Sequence, residues 1–513
     1  MATQLLPGYS QAHALTRTRS LALSATPLLL ILTLQLIASL SLRNTAFQDE
    51  ALYVYAGRQI VTAWFGGPPV AEPWSQYFSG LPYLQPVIAG TLDSIGGLEL
   101  ARAFSLFCML GATVAVAAIT RQLFDNDSAI FAAALFSVQA SVLFLGRLAT
   151  YDAMSLGLLA LAAVLAVRFG SRANPLPVPL VGVVLAVAVL TKYAGFLFVP
   201  TVLALLGWCT LQTRGWRAAL ARMFVAGAAL GGCLAAMLLL PETQQMLQGL
   251  TASTTDRTVD NPASRLLLLL RVLTLSGALI AVAFGGLLVV RRRERLLGLI
   301  LWGSMLLAPA YHIYKGELIS LHKHVAFGVL FGAPLAGVAV ARLSGYGRRA
   351  FVGYRWVAGL AICLLLFAGG LQNSRLLFAE WSTSDALIRT LRTVVRPGGG
   401  RYLSEESEVT RYYLQGTVAW WQWSHLYWFE YTDTNGQRIQ GQQAYRAAIN
   451  DEYFDLVILR YGPNVVMDQA IDAGLNDGKH YELIAKLPFT NTFGSGYYWV
   501  WRKLGNTGVA SAP

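Results

Sequence analysis

Two acidic sites and one group of basic sites interrupt an otherwise apolar chain. The first acidic site is Asp49-Glu50, in the stretch AFQDEALYVYAGRQI that follows the first apolar run. A carboxylate where a helix leaves a bilayer is costly unless it is hydrated, paired or used. Within hydrogen-bond reach of a hydroxyl it can take the proton. On a helix Asp49 shares a face with Tyr53, and Glu50 shares the next with Val54. The structural alternative is a pair of acids at the positive end of a helix dipole. The second site is Asp152 in LGRLATYDAMSLG, with Arg147 and Tyr151 beside it in sequence. It opens an apolar run, and a helix cap or an ion pair with Arg147 would equally explain it.

The basic group is Lys192 in LTKYAG, Lys315, and His322-Lys323-His324. Lysine holds phosphate as a compact charge; it also snorkels to lipid headgroups with no ligand. His322 and His324, one residue apart, are a weak metal signal. No metal ligand and no cofactor is therefore assigned, and a divalent cation is left open.

The elements that must position these residues follow from composition. The chain has 513 residues, 55% of them hydrophobic and only 13% charged, and its mean hydropathy is +0.50. These values exclude a soluble globule, a disordered chain and a fibrous one, and indicate an α-helical polytopic membrane protein. Apolar runs lie at about 21–42, 102–120, 128–146, 153–168, 177–191, 195–212, 223–240, 266–290, 296–314, 324–341 and 356–374, about 11 spans in all. The first run is too long for a cleaved signal peptide, so residues 1–20 are expected in the cytoplasm.

Charge supports this topology. Lys+Arg exceed Asp+Glu by 39 to 27, giving a net +12. The loops expected inside carry 16 arginines, while the longer outer loops carry 10 basic residues. That is the positive-inside pattern, and it puts the C-terminal domain outside in a plasma (inner) membrane protein. From Arg375 onward 13 basic residues meet 14 acidic ones, so no soluble segment is basic enough to imply nucleic acid. Cys108, Cys209, Cys233 and Cys363 all sit in apolar stretches with no metal-type spacing.

Residues 21–375 thus read as a membrane domain with two long outer loops, about 43–101 and 241–264. The second is polar and reads as a mobile lid. The tail, 376–513, reads as a small α/β domain with strands at 401–403, 454–459, 481–487 and 496–504 and a helix at 404–414, capped at Ser404.

The order of these residues resembles the GT-C glycosyltransferases, in particular the bacterial relatives of protein O-mannosyltransferases and aminoarabinose transferases. FQDEALYVYAGRQI, the stretch from SGLPYLQPVIAGTLDSIGG to AITRQLF, the block AIFAAALFSVQASVLFLGRLATYDAMSLGLLAL, and LTKYAGFLFVP with HKHVAFGVLFGAPLAG carry the likeness. The resemblance implies transfer of a hexosyl or pentosyl group from a polyprenyl-phosphate-linked donor to an acceptor hydroxyl on the extracytoplasmic face. It implies Asp49 as general base and Asp152 as a second catalytic carboxylate. Glu50, Tyr53, Arg147, Tyr151, Lys192, His322, Lys323 and His324 are the implied substrate-binding residues. The acceptor would be a glycan, a glycolipid or a protein. One departure stands out: the family's His-Pro-Pro or Lys-Pro-Pro is here Tyr83-Leu84-Gln85-Pro86. The rival readings are a secondary transporter, which would need charges near the midplane and broken helices in matched halves, and a noncatalytic membrane scaffold.

Overall fold

The structure, a computed structural model, describes residues 26–70, 72–256, 262–345, 355–426, 429–462 and 464–505. The expected cytoplasmic N-terminus, Asp260 and the basic loop around Arg348 lie outside them.

Among the described residues every expected apolar run falls mainly on helix; residues 21–25 of the first run lie outside them. Among the described residues eight helices are long and apolar enough to cross a bilayer: Gln85–Leu123, Tyr151–Ser171, Tyr193–Arg214, Trp216–Leu239, Arg265–Val289, Arg292–Lys315, Leu321–Ser344 and Val357–Ala379. The remaining three runs are shorter. Thr26–Leu40 and Pro179–Thr191 are apolar helices below that length. The run at 128–146 is broken into Asn126–Ser137 and Ala140–Leu145, because the backbone leaves the helix at Gln139. The helix Gln85–Leu123 is itself two helices joined at Gly96-Gly97, so the apolar part starts beyond that break.

The contacts divide the chain into two compact units. One takes the chain up to Leu42, Pro69–Ile88 and Ile95–Arg375; the other takes Arg43–Pro68, Ala89–Ser94 and Leu376 onward. The acidic loop helix Gln48–Trp64 therefore groups with the tail.

In the first unit Leu321–Ser344 is enclosed on nearly all sides. The polar segment at 241–264 is not a featureless loop: it holds the helix Thr243–Ser253. Gly249 of that helix lies so close to the short helix Trp74–Tyr77 that a Cβ would come within 2.3 Å of the Ser75 carbonyl oxygen.

The second unit is α/β. Its strands are β1 (Tyr402–Ser404), β2 (Trp423–Ser424), β3 (Glu430–Thr432), β4 (Arg438–Gln440), β5 (Leu456–Leu459), β6 (Tyr481–Asn491) and β7 (Gly494–Lys503). Five form a mixed sheet in the order β2-β1-β5-β7-β6, with β1 parallel to β2 and β5, and β7 antiparallel to β5 and β6. β5 is buried throughout, as its continuous apolar run requires. Apolar side chains cover both faces of this sheet. The helix after β1 starts at Ser407, later than expected. Ser404 is not its cap, because Ser404 ends β1 and the next backbone N–H, of Glu405, donates to the Ile458 carbonyl at 3.0 Å. The helices Asp385–Val394, Gly441–Asn450 and Val465–Leu475 complete the unit.

Candidate functional site

In the membrane unit the basic group is built around Lys192. The helix Pro179–Thr191 ends there, and Lys192 turns to an extended conformation before the tight helical turn Tyr193–Phe198. The preceding loop clamps this end: Leu81 N–H donates to the Leu190 carbonyl at 2.8 Å and Tyr193 N–H to the Ser79 carbonyl at 2.9 Å. Only glycine fits between those bonds, since a Cβ on Gly80 would lie 2.0 Å from the Thr191 carbonyl oxygen.

Lys192 Nζ then meets Asp152 Oδ1 at 2.9 Å, with both side chains buried. The ammonium also lies 5.7 Å from the centre of the Tyr151 ring. Asp152 accepts a second bond from Thr150 Oγ1 at 3.1 Å. Neither structural alternative for Asp152 is realised: it makes no ion pair with Arg147, and Thr150 holds the cap position. Arg147 instead pairs with Glu99 and donates from Nε to the Leu42 carbonyl at 3.0 Å.

The helix Leu321–Ser344 brings the second basic set. It starts after a turn that is left-handed at both Gly316 (φ 70°) and Ser320 (φ 64°). A non-glycine residue in that region is strained and marks a site whose surroundings over-determine it. The set divides. The His322 ring packs edge-on against Phe144, with centroids 5.2 Å apart. Lys323 is buried. His324 Nδ1 lies 2.9 Å from His312 Nε2, and His312 Nδ1 lies 2.6 Å from the Glu317 carbonyl oxygen. Among the described residues no three His, Cys, Asp or Glu side chains are arranged to hold a metal ion.

Lys192, His312 and His324 border a cavity of about 250 Å³, whereas Asp152, His322 and Lys323 are not among its lining residues. Lys192, His312, His324, Glu317 and Thr254 supply polar edges, and Phe196 belongs to the apolar wall. Phe196 is 58% exposed, so the wall continues onto the apolar outer surface. The polar segment after Pro241 contributes Ser253 and Thr254, held by Tyr311 Oη donating to the Thr254 carbonyl at 3.3 Å. A buried cation, imidazoles and hydroxyls beside aromatic and aliphatic carbon suit an anion that carries an apolar tail.

His312, Glu317 and Tyr311 were not singled out from sequence. His312 lies in the last turn of the helix Arg295–Lys315, and nothing in the sequence near it signals the ring it meets.

The acidic pair lies in the other unit. Asp49 and Glu50 occupy the first turn of Gln48–Trp64. They differ in environment. Glu50 is fully buried and its Oε2 accepts from the Phe47 N–H at 3.0 Å, so it closes its own helix start. Asp49 is half-buried. Tyr53 is buried on the same helix. The helix Ser407–Tyr413 packs here: Tyr412 Oη donates to Asp93 Oδ1 at 2.7 Å, and Tyr413 Oη accepts from the Ala46 N–H at 2.8 Å. Arg58 joins Asp93 at 3.0 Å. Burial holds the Glu408 carboxyl above its ordinary range, and the charge of Asp49 adds to the rise.

Residues 96–241 match the family model described as dolichyl-phosphate-mannose-protein mannosyltransferase. Among solved structures the chain is similar to ArnT from Cupriavidus metallidurans bound to undecaprenyl phosphate, with a TM-score of 0.59 at 13% identity over 94% of this chain and 99% of that one. The fold is GT-C. The archaeal oligosaccharyltransferase AglB from Archaeoglobus fulgidus, in complex with an inhibitory peptide and a dolichol-phosphate, gives 0.55 at 12% identity over 92% and 74%. The mycobacterial arabinofuranosyltransferase AftD gives 0.52 at 14% identity over 93% and 40%. No curated protein matches the chain by sequence. The GT-C fold makes the departure at Tyr83 legible. At that departure Tyr83 Oη donates to the Glu242 carboxylate, which also accepts from Ser75 Oγ at 3.1 Å. Burial and that carboxylate push the phenol up to about 12. The position ties the segment before Gln85 to the segment after Pro241 and offers no charge to a phosphate.

Proposed function

We propose that this protein transfers a sugar from a polyprenyl-phosphate-linked donor to an acceptor hydroxyl on the extracytoplasmic face of the membrane. The observation that carries the reading is the cavity that joins Lys192 and His324 to an apolar wall running out to exposed Phe196. A phosphate with an isoprenoid chain has that division of character. The similarity in fold to proteins solved with undecaprenyl phosphate and dolichol-phosphate agrees with it.

When C1 of the sugar leaves the phosphate, negative charge grows on the phosphate oxygens. Lys192 and the imidazole of His324 would stabilise that charge in a site shielded from water, where fixed cations and donors act most strongly. Lys192 is oriented for this by Asp152. The acceptor hydroxyl must lose its proton, and Asp49, the half-buried member of the acidic pair, takes the role of base. Glu50 supports the helix that carries it.

The test is mass spectrometry of glycolipids and envelope glycans from cells with and without the protein. Loss of one sugar from a single glycan class, restored by the intact chain but not by Asp49→Asn, is the expected result. Unchanged glycans together with altered uptake of a solute would favour a transporter instead.

A further inference from the structure

The proton positions in the His312–His324 pair follow from its fixed end. A carbonyl oxygen only accepts, so His312 Nδ1, 2.6 Å from the Glu317 carbonyl, carries hydrogen. In the neutral ring Nε2 is then a lone pair. It lies 2.9 Å from His324 Nδ1, which must therefore carry the hydrogen of that bond. His324 Nε2 is left as a bare lone pair, and it is buried with no hydrogen-bond partner.

One added proton can be drawn in two ways. The charge sits on His324, or the shared hydrogen shifts and the charge sits on His312. In both, His324 Nε2 carries hydrogen. A second added proton would put hydrogens on both facing nitrogens and break the bond between the rings. The pair is thus a one-proton device with a single port, on a residue that lines the cavity.

The surrounding charges give the port a use. Lys192 faces the pair from the end of Pro179–Thr191, Asp152 from Tyr151–Ser171, and Lys323 from the helix of His324 itself. Glu317 lines the cavity from the turn before that helix, and its Oε1 accepts from the Ile319 N–H at 2.9 Å. Tyr193 and Tyr311 complete the titratable wall. Lys315 turns aside to the Thr255 carbonyl. Of the charged groups that line the cavity, the Lys192 ammonium and the Glu317 carboxylate cancel, and the Lys323 and Asp152 charges behind them cancel too, so a neutral histidine pair adds no net charge for an anion. A bare lone pair on His324 offers a bound phosphate no donor; an N–H there does.

We propose that the His312–His324 pair takes up one proton from solvent, at His324 Nε2, when a phosphate monoester binds in this cavity. This rests on the lipid-phosphate reading above and deepens it. Sugar transfer turns a phosphodiester into a monoester with one more negative charge. A proton held on the pair compensates that charge, and its loss loosens the lipid phosphate left behind. His324 is then a ligand-contacting group, and His312 is a positioning residue that fixes its tautomer and shares its charge.

The experiment is calorimetric titration of the detergent-solubilised full chain with farnesyl phosphate, in buffers of differing ionisation heat. The dependence on buffer heat counts protons. The intact chain should take up about one proton more per ligand than His324→Gln does. Equal uptake in the two overturns the proposal, since the proton would then be entering on the phosphate itself. His312→Gln keeps an acceptor for His324 Nδ1 but removes the ring that shares the charge. It should bind the ligand with uptake displaced to lower pH by about one unit. An unmoved uptake curve overturns the proposal even where His324→Gln fails to fold. Farnesyl phosphate binding without any dependence on buffer removes the relay and leaves the lipid-phosphate site standing. Failure of farnesyl phosphate to bind the intact chain removes both.

Discussion

Lys192 and Asp152 form a buried ion pair with Nζ 2.9 Å from Oδ1, joining the ends of two neighbouring membrane helices. Such a pair is expensive to desolvate and more expensive to break, because the survivor is left as an uncompensated charge. Lys192→Met and Asp152→Asn should each lower thermal stability in detergent, by about 3–5 kcal/mol for the more damaging single change. The double variant should recover part of the loss. Both single variants should also lose affinity for a lipid phosphate, Lys192→Met more than Asp152→Asn. Additive losses in stability would mean that the two side chains do not act as a pair.

The loop at Gly80 sets where that lysine stands. A Cβ there would collide with the Thr191 backbone at 2.0 Å, and backbone cannot give way as a flexible side chain can. Gly80→Ala should destabilise by about 1–3 kcal/mol, the usual cost of overpacking. It should weaken lipid-phosphate binding without touching any charged group. A melting curve and a binding curve that both match the intact chain would show that the loop has slack.

The apolar runs made every membrane helix visible in sequence, because length and hydropathy alone identify a span. They did not show the break at Gln139, which depends on what neighbours bury. The single residues Asp49, Asp152, Lys192 and His324 stood out because charge inside an apolar chain is costly. Their partners did not. Sequence proximity offered Asp152 only Arg147 as an ion-pair partner, whereas the fold gives it Lys192, forty positions on. His312 went unremarked because a histidine becomes informative only when the ring that meets it is known. In the tail the buried β5 was legible as a continuous apolar run, while the ladder that makes Ser404 a strand end rather than a cap is a long-range contact.

The tail unit holds a carboxylate cluster with its own pH dependence. Glu405 accepts backbone N–H groups from Arg460 and Gly462, and Arg460 pairs with Glu406. Asp468 is buried beside Glu405. Burial raises Glu406 to about 8, against the opposing pull of Arg460, and burial with the Glu405 charge raises Asp468 to about 8. The folded state therefore binds protons more tightly than the unfolded chain, whose carboxyls titrate near 4. Stability from this cluster is fully present below that range and is lost as pH rises through about 8. The protection of β1 and β5 amides, taken relative to the intrinsic exchange rate at each pH, should be greater at pH 5.5 than at pH 8, and Glu406→Gln should flatten the difference. Greater protection at the higher pH would reverse the assignment.

Asp49 and Glu50 are neighbours in sequence with separable roles. Glu50 is fully buried and spends its carboxylate on the Phe47 N–H. Asp49 stays half-buried, and its charge helps to raise the buried Glu408 carboxyl. If Asp49 accepts the proton of the acceptor hydroxyl, Asp49→Asn keeps the shape and removes the base. Turnover should fall by about 100-fold or more, with melting unchanged. Glu50→Ala should do the reverse. It frees a backbone donor at the helix start and should cost about 1 kcal/mol of stability, with a much smaller fall in turnover. The two variants, assayed side by side for sugar transfer and thermal unfolding, separate chemistry from scaffolding. If Asp49→Asn turns over at the normal rate while Glu50→Ala is inactive but folded, the base is Glu50, and Asp49 is an acid placed for the helix dipole.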